Sequence, residues 1–188
     1  MTQNGTQAEI DDFVRAADAL ASPWYSVFGN HETSGGHGTE FQRTVGRLNF
    51  AFDYKGARFV LVDTASATVD EKVYAFVKDQ LSGAGPALRV AGMHIPPLDY
   101  EGLRDAGFSS RDEGARMLSL LADGGTDLLL CGHLHTLRFS ANAGIPVVVS
   151  GNGGVGTADR LDGTGMHYLA VEAQPADQRL EVGVVRVP

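Results

Sequence analysis

Trp24-Tyr25-Ser26-Val27-Phe28-Gly29-Asn30-His31-Glu32 runs from a mostly apolar stretch straight into a carboxamide, an imidazole and a carboxylate. A short run rich in aromatic and β-branched residues reads as a buried strand. The loop just past the carboxyl end of a strand is where α/β proteins place their chemistry. The same pattern recurs twice downstream: Ala87 to Met93 reads as a strand ending at His94, and Asp127 to Cys131 as a strand leading into Gly132-His133-Leu134-His135. Three strand ends thus carry Asn30, His94, His133 and His135, which predicts an α/β fold with its functional groups along one edge.

Working outward, Thr6 and Glu9 form a T-x-x-E capping box ahead of Ile10, Phe13, Val14, Ala17 and Leu20 at helical spacing, so the chain opens with an amphipathic helix that Pro23 closes. Thr33 to Thr39 is polar and glycine-rich and reads as an irregular loop over a pocket. Arg47 to Tyr54, a Lys55-Gly56 turn and Ala57 to Asp63 read as a hairpin. Thr68 and Glu71 predict a second capping box before Val73, Phe76, Val77 and Leu81. Ser110 and Glu113 cap a third helix carrying Met117, Leu118 and Leu121, which Gly124-Gly125 ends. Beyond His135 the pattern becomes antiparallel: Thr136 to Ala141, an Asn142-Ala143-Gly144 turn, Ile145 to Ser150, then Met166 to Ala173 and Leu180 to Val187, so two sheets are expected.

With 188 residues and 43% hydrophobic content, the chain is sized for one domain over 1–188 with a substantial core. The net charge of −8, with 15 Lys and Arg, argues against a broad nucleic-acid surface, since that grip depends on clustered cations. A small phosphorylated substrate is compatible with an acidic exterior when a metal supplies the positive charge. The single cysteine, Cys131, lies in an apolar strand, so a disulfide framework is excluded and a buried thiol is expected. Cysteine usage favours a reducing compartment such as the cytoplasm without fixing one. The sequence contains no apolar run long enough for a membrane span, and its polar N-terminus is unlike a signal peptide.

Imidazole nitrogen and amide oxygen suit a divalent ion such as Mn, Fe or Zn, and strand-end loops can bring such ligands together. Any one of these histidines alone is as readily structural. Four polar groups at three strand ends are harder to explain as core filling, because each would need its own buried hydrogen-bond partner. Several other residues carry weaker signals. His37 reads as a solvated loop residue, His167 as a packed or edge residue, and Arg43 and Arg104 as surface charge. Gly151-Asn152-Gly153-Gly154-Val155-Gly156 lacks the Lys-Ser/Thr pair of a phosphate loop and reads as a turn beside the site.

Gly29-Asn30-His31-Glu32, the isolated His94 and Gly132-His133-Leu134-His135 resemble three successive signature blocks of the calcineurin-like metallophosphoesterases, in order and spacing. The hairpin Arg47 to Asp63 is similar to the one that follows the Asn-His block in that family. The resemblance implies a four-layer α/β/β/α sandwich of two mixed sheets. It also implies two-metal hydrolysis of a phosphomonoester or phosphodiester by an activated water. It assigns Asn30, His94 and His133 to one ion and His135 to the other. His31, oriented by Glu32, would contact the phosphate or protonate the leaving group, while Glu32 reads equally well as a loop or helix cap.

The family's Asp-x-His and Gly-Asp blocks have no counterpart here, so the chain is expected to lack an N-terminal strand-helix-strand portion, with Met1 an internal methionine. On that expectation the chain binds at most one ion, weakly, and turns over poorly. Two rivals belong to other classes. One is a catalytically inactive metal-binding or interaction module with the same fold; the other is a mononuclear hydrolase of non-phosphate esters or amides.

Overall fold

The computed structural model describes residues 2–36, 38–99, 102, 106–154 and 156–188; His37 and Arg104, singled out above, lie outside the described residues. The first helix, α1 (Gln7–Asp18), forms as its sequence predicts. The Thr6 hydroxyl accepts from the Glu9 amide, the Glu9 carboxylate accepts from the Thr6 amide, and Ile10 and Ala17 face inward. The described residues between Thr33 and Thr39 are not the irregular loop expected: Asn30–Gly36 winds as a 3-10 helix, and Gly38 and Thr39 open α2 (Gly38–Thr44), which buries Phe41. One inward aromatic anchors this short helix, a signal too small to register as periodicity.

Six strands form the main sheet: β1 (Phe50–Tyr54), β2 (Ala57–Val62), β3 (Leu88–Met93), β4 (Leu128–Cys131), β5 (Leu137–Asn142) and β6 (Ile145–Ser150), in spatial order β1-β2-β3-β4-β6-β5. The β1–β2 turn at Lys55-Gly56 and the β5–β6 turn at Ala143-Gly144 both have positive φ at both residues, as tight hairpins require. The uniformly antiparallel pattern expected beyond His135 needs correction. Strand β6 pairs antiparallel with β5 but parallel with β4, because Val147, Val148 and Val149 sit in the register opposite Leu129, Leu130 and Cys131. A strand buried between two neighbours is apolar on both faces, and such a run carries no sign of direction.

Helices α3 (Glu71–Leu81) and α4 (Arg111–Asp123) cover one face of this sheet. Their Tyr74, Val77, Leu81, Met117, Leu118 and Leu121 join Val60, Val62, Ala91, Met93, Leu129 and Val149 in the largest core cluster. The N-cap of α3 is Asp70, whose carboxylate accepts from the Lys72 and Val73 amides; Thr68 was expected there, but its hydroxyl donates to Glu113 Oε2 at 2.8 Å instead. Asp outcompetes a Thr two residues earlier because its carboxylate sits directly over the first turn. Ser110 caps α4 as predicted.

The opposite face is covered by a two-stranded antiparallel sheet, β7 (His167–Gln174) and β8 (Arg179–Arg186), whose Leu169, Leu180 and Val182 pack on Val90, Leu128 and Val148. The Trp24–Phe28 run is extended, but it joins neither sheet among the described residues. It lies across the sheet and is held by side chains: Tyr25 stacks on Phe52 with ring centroids 4.1 Å apart, and Phe28 packs on Phe41 at 5.0 Å beside Ile10 and Ala65. Its run of aromatic and apolar side chains mimics a strand because it serves face packing, with no ladder behind it.

Candidate metal centre

The Gly29–Glu32 turn, the end of β3 and the turn after β4 meet at one edge of the sheet. Asn30 Oδ1 stands 2.8 Å from His94 Nε2 and 3.1 Å from His133 Nδ1. The two imidazoles lie edge to face with centroids 5.1 Å apart. The backbone supports this convergence. The Gly132 amide donates to the His94 carbonyl at 3.0 Å, and His133 sits at φ 64, a left-handed conformation that a non-glycine residue adopts only when its surroundings impose it. At Gly29 a Cβ would lie 2.7 Å from Glu32 Oε2 and 3.2 Å from the His94 ring, so a side chain there would push both groups aside.

Burial and, next, the neighbouring His133 push the His94 imidazole down to about 3, so this ring is neutral at neutral pH. Neutral imidazole is the form that binds metals. Asn30 Oδ1, His94 Nε2 and His133 Nδ1 thus converge, and carboxamide oxygen with imidazole nitrogen suits one divalent ion. The 2.8 and 3.1 Å separations at Asn30 are hydrogen-bond distances, and they bring both ring nitrogens to the same carboxamide oxygen. The carboxamide is essential to this arrangement, since among the described residues no three His, Cys, Asp or Glu side chains gather to hold a metal. His135 Nδ1 lies 3.0 Å from the Asp159 carbonyl oxygen, and its ring is near enough to His94 to add to the lowering of that imidazole.

His31 and Glu32 are placed differently from the expectation that one orients the other. His31 Nδ1 lies 2.8 Å from the Gln3 carbonyl oxygen. Glu32, 3% exposed, accepts from the Gly29 amide at 3.0 Å, the Thr2 amide at 3.0 Å and the Thr2 hydroxyl at 2.8 Å. Its carboxylate therefore closes the turn and ties residue 2 to it, which corrects the reading of Glu32 as the orienter of His31. Gly5, at φ 68, allows this approach: a Cβ there would lie 2.7 Å from the Glu32 carbonyl oxygen. His167 is packed as expected, 2% exposed, with Nε2 at 3.1 Å from Ser150 Oγ and Nδ1 at 3.0 Å from the Gly165 carbonyl. Arg43 donates to Gln7 Oε1 at 3.1 Å on the surface of α2.

Residues that sequence reasoning passed over, Thr2, Gln3, Asp159 and Asp162, surround the candidate side chains. Two of them act through backbone carbonyls, which leave no signature in the residue type.

The model of the calcineurin-like phosphoesterases matches residues 2–137, a stretch that holds every candidate residue. Among solved structures, the fold is similar to the purple acid phosphatase PPD1 from yellow lupin (Lupinus luteus) seeds, at 16% identity and a TM-score of 0.72, covering 97% of this chain and 42% of that one. It is also similar to TT1561 of Thermus thermophilus, at 14% identity and a TM-score of 0.61, covering 99% of this chain and 83% of that one. GAP50, the anchor in the inner membrane complex of Plasmodium, matches at 17% identity with a TM-score of 0.57, covering 75% of this chain and 52% of that one. The chain thus spans about half the length of GAP50 and less than half of PPD1. No curated protein matches the chain.

Proposed function

The chain belongs to the calcineurin-like phosphoesterase family, and on that footing we propose that it is a metal-dependent hydrolase of small phosphorylated substrates. Asn30, His94 and His133 would hold its ion, and His135 would face the second ion of the complete family site. The observation that carries this reading is the approach of His94 Nε2 and His133 Nδ1 to the single oxygen Asn30 Oδ1. A bound divalent ion of the Mn, Fe or Zn kind supplies positive charge to the phosphoryl oxygens and eases deprotonation of the attacking water. The chain's own part is to present neutral imidazoles and a carboxamide at fixed positions. His31, held at Nδ1 by the Gln3 carbonyl, offers Nε2 to a phosphate oxygen or to the leaving alkoxide, and a ring held by one nitrogen can exchange a proton at the other. Glu32 keeps the turn that carries Asn30 and His31 in register.

Two adjacent dications repel strongly unless an anionic ligand lies between them. Among the described residues no carboxylate joins the Asn30, His94 and His133 point, so on this reading the chain holds at most one ion and turns over phosphoesters slowly. Calorimetric titration of the 188-residue chain with Mn²⁺, alongside turnover of p-nitrophenyl phosphate, tests both statements. The expected result is one ion per chain, abolished in His133→Ala, with phosphate and vanadate inhibiting residual hydrolysis. Tight uptake of two ions refutes the mononuclear reading, and equal binding by His133→Ala refutes the site. Ion binding with no phosphoester turnover identifies an inactive module, and cleavage of carboxylic esters insensitive to vanadate identifies a different hydrolase.

A further inference from the structure

The described residues leaving β6, 151–154 and 156–164, fold over the Gly132-His133-Leu134-His135 turn from two sides. On one side the Gly151 amide donates to the Thr136 carbonyl at 3.0 Å. The approach is so close that a Cβ on Gly151 would stand 1.8 Å from the Leu134 carbonyl oxygen. On the other side the Leu161 amide donates to the His135 carbonyl at 2.8 Å, and the Asp159 carbonyl lies 3.0 Å from His135 Nδ1. A carbonyl oxygen has no proton to give, so this last bond requires the proton on Nδ1. In the neutral ring Nε2 is then unprotonated.

Two side chains fasten the segment. The Asp162 carboxylate accepts from the Thr136 hydroxyl, from Arg138 Nη1 at 3.0 Å and from the Thr164 amide at 2.8 Å. Asn152, with no exposed surface, donates from Nδ2 to the Thr164 carbonyl at 2.9 Å and so ties the start of the segment to its end.

We propose that this segment is a clasp that selects the tautomer of His135, with Asp162 as its positioning residue. His135 then meets a divalent cation through Nε2 without first moving a proton between its ring nitrogens. Outer partners that hold a ligating imidazole in one tautomer typically change metal affinity ~10–100-fold. The proposal rests on the reading of His135 as a cation ligand, yet the tautomer itself is measured with no cation added.

The test uses the ¹⁵N-labelled 188-residue chain and long-range ¹H–¹⁵N correlation of the histidine rings. In the wild type, His135 is expected to carry its proton on Nδ1. In Asp162→Ala its signals shift toward the Nε2-protonated form, while His94 and His133, which face Asn30, keep their wild-type signals and report an intact fold. Asp162→Asn retains one acceptor oxygen and preserves more of the wild-type tautomer. Should Asp162→Ala fail to fold, Arg138→Ala, which removes one partner of the same carboxylate, gives a smaller shift in the same direction. A wild-type His135 protonated at Nε2, or signals unmoved in a folded variant of either kind, overturns the proposal. Zn²⁺ added to the same samples separates this result from the hydrolase reading, because failure of the ion to perturb His94 and His133 counts against the metal site and leaves the tautomer assignment standing.

Discussion

Replacing Glu32 by alanine removes a carboxylate that is 3% exposed and accepts three hydrogen bonds. The Gly29 amide is buried, and a stranded buried donor costs about 1–3 kcal/mol. The two Thr2 donors are only half-buried and recover water, so each contributes a further ~0.5 kcal/mol at the low end of the net range. The total comes to about 3 kcal/mol, equivalent to a fall in melting temperature of ~6–12 °C for a chain of this size. Urea unfolding followed by far-ultraviolet circular dichroism reads the change directly, since the midpoint moves while the slope stays constant. Glu32→Gln keeps the shape and one acceptor but turns an amide toward donors, so it should fall between wild type and Glu32→Ala. If both variants stay within about 0.5 kcal/mol of wild type, the carboxylate is not the tie described above. If stability is untouched and only the titration of His31 changes, Glu32 orients the ring after all.

Gly151→Ala should be among the most damaging single methyl additions in the chain, because its Cβ would stand 1.8 Å from a backbone oxygen; loss of soluble folded protein, or a fall of several kcal/mol in urea, is the outcome to look for. At Asp162, burial favours the protonated acid, but the Thr136 hydroxyl and the Thr164 and Leu137 amides outweigh it and hold the carboxyl at about 2. Its stabilisation is therefore complete above the ordinary carboxylate pKa near 4 and disappears as pH falls through 2; the stability gap between wild type and Asp162→Asn should close over that window by up to about 2 kcal/mol, whereas a gap independent of pH contradicts the assignment. Burial pushes the Cys131 thiol well above its ordinary pKa, so Ellman's reagent at pH 8 should leave the native chain unmodified and label one thiol in urea, and rapid labelling of the native chain would show that β4 opens.

Features carried by side-chain chemistry were readable from the sequence. Thr6 and Glu9 mark the start of α1, Ser110 marks α4, Gly124-Gly125 ends it, and the apolar runs before His94 and His133 are strands that deliver those rings to Asn30. Features carried by partnership were not. Nothing in Trp24–Phe28 distinguishes an extended segment stacked on a sheet from a strand within one, because both are short runs rich in aromatic and apolar residues. Ile145 to Val149 is apolar throughout and is silent about whether its neighbours run with it or against it. His31 and His135 are each held by a backbone carbonyl, of Gln3 and Asp159, and any residue could supply that oxygen. Glu32 shows the same limit from the other side: a carboxylate next to an imidazole suggests a pair, but the turn points it toward Gly29 and Thr2.

The left-handed backbone at His133 sets thermal endurance against chemistry at a single codon. Glycine would relax that φ of 64 at no steric cost and would also delete one imidazole of the proposed cation site. A directed-evolution campaign scored on heat resistance alone would therefore enrich His133→Gly and discard the imidazole along with the strain. Any screen of this fold for sturdier variants needs a catalytic or ion-binding gate at every round.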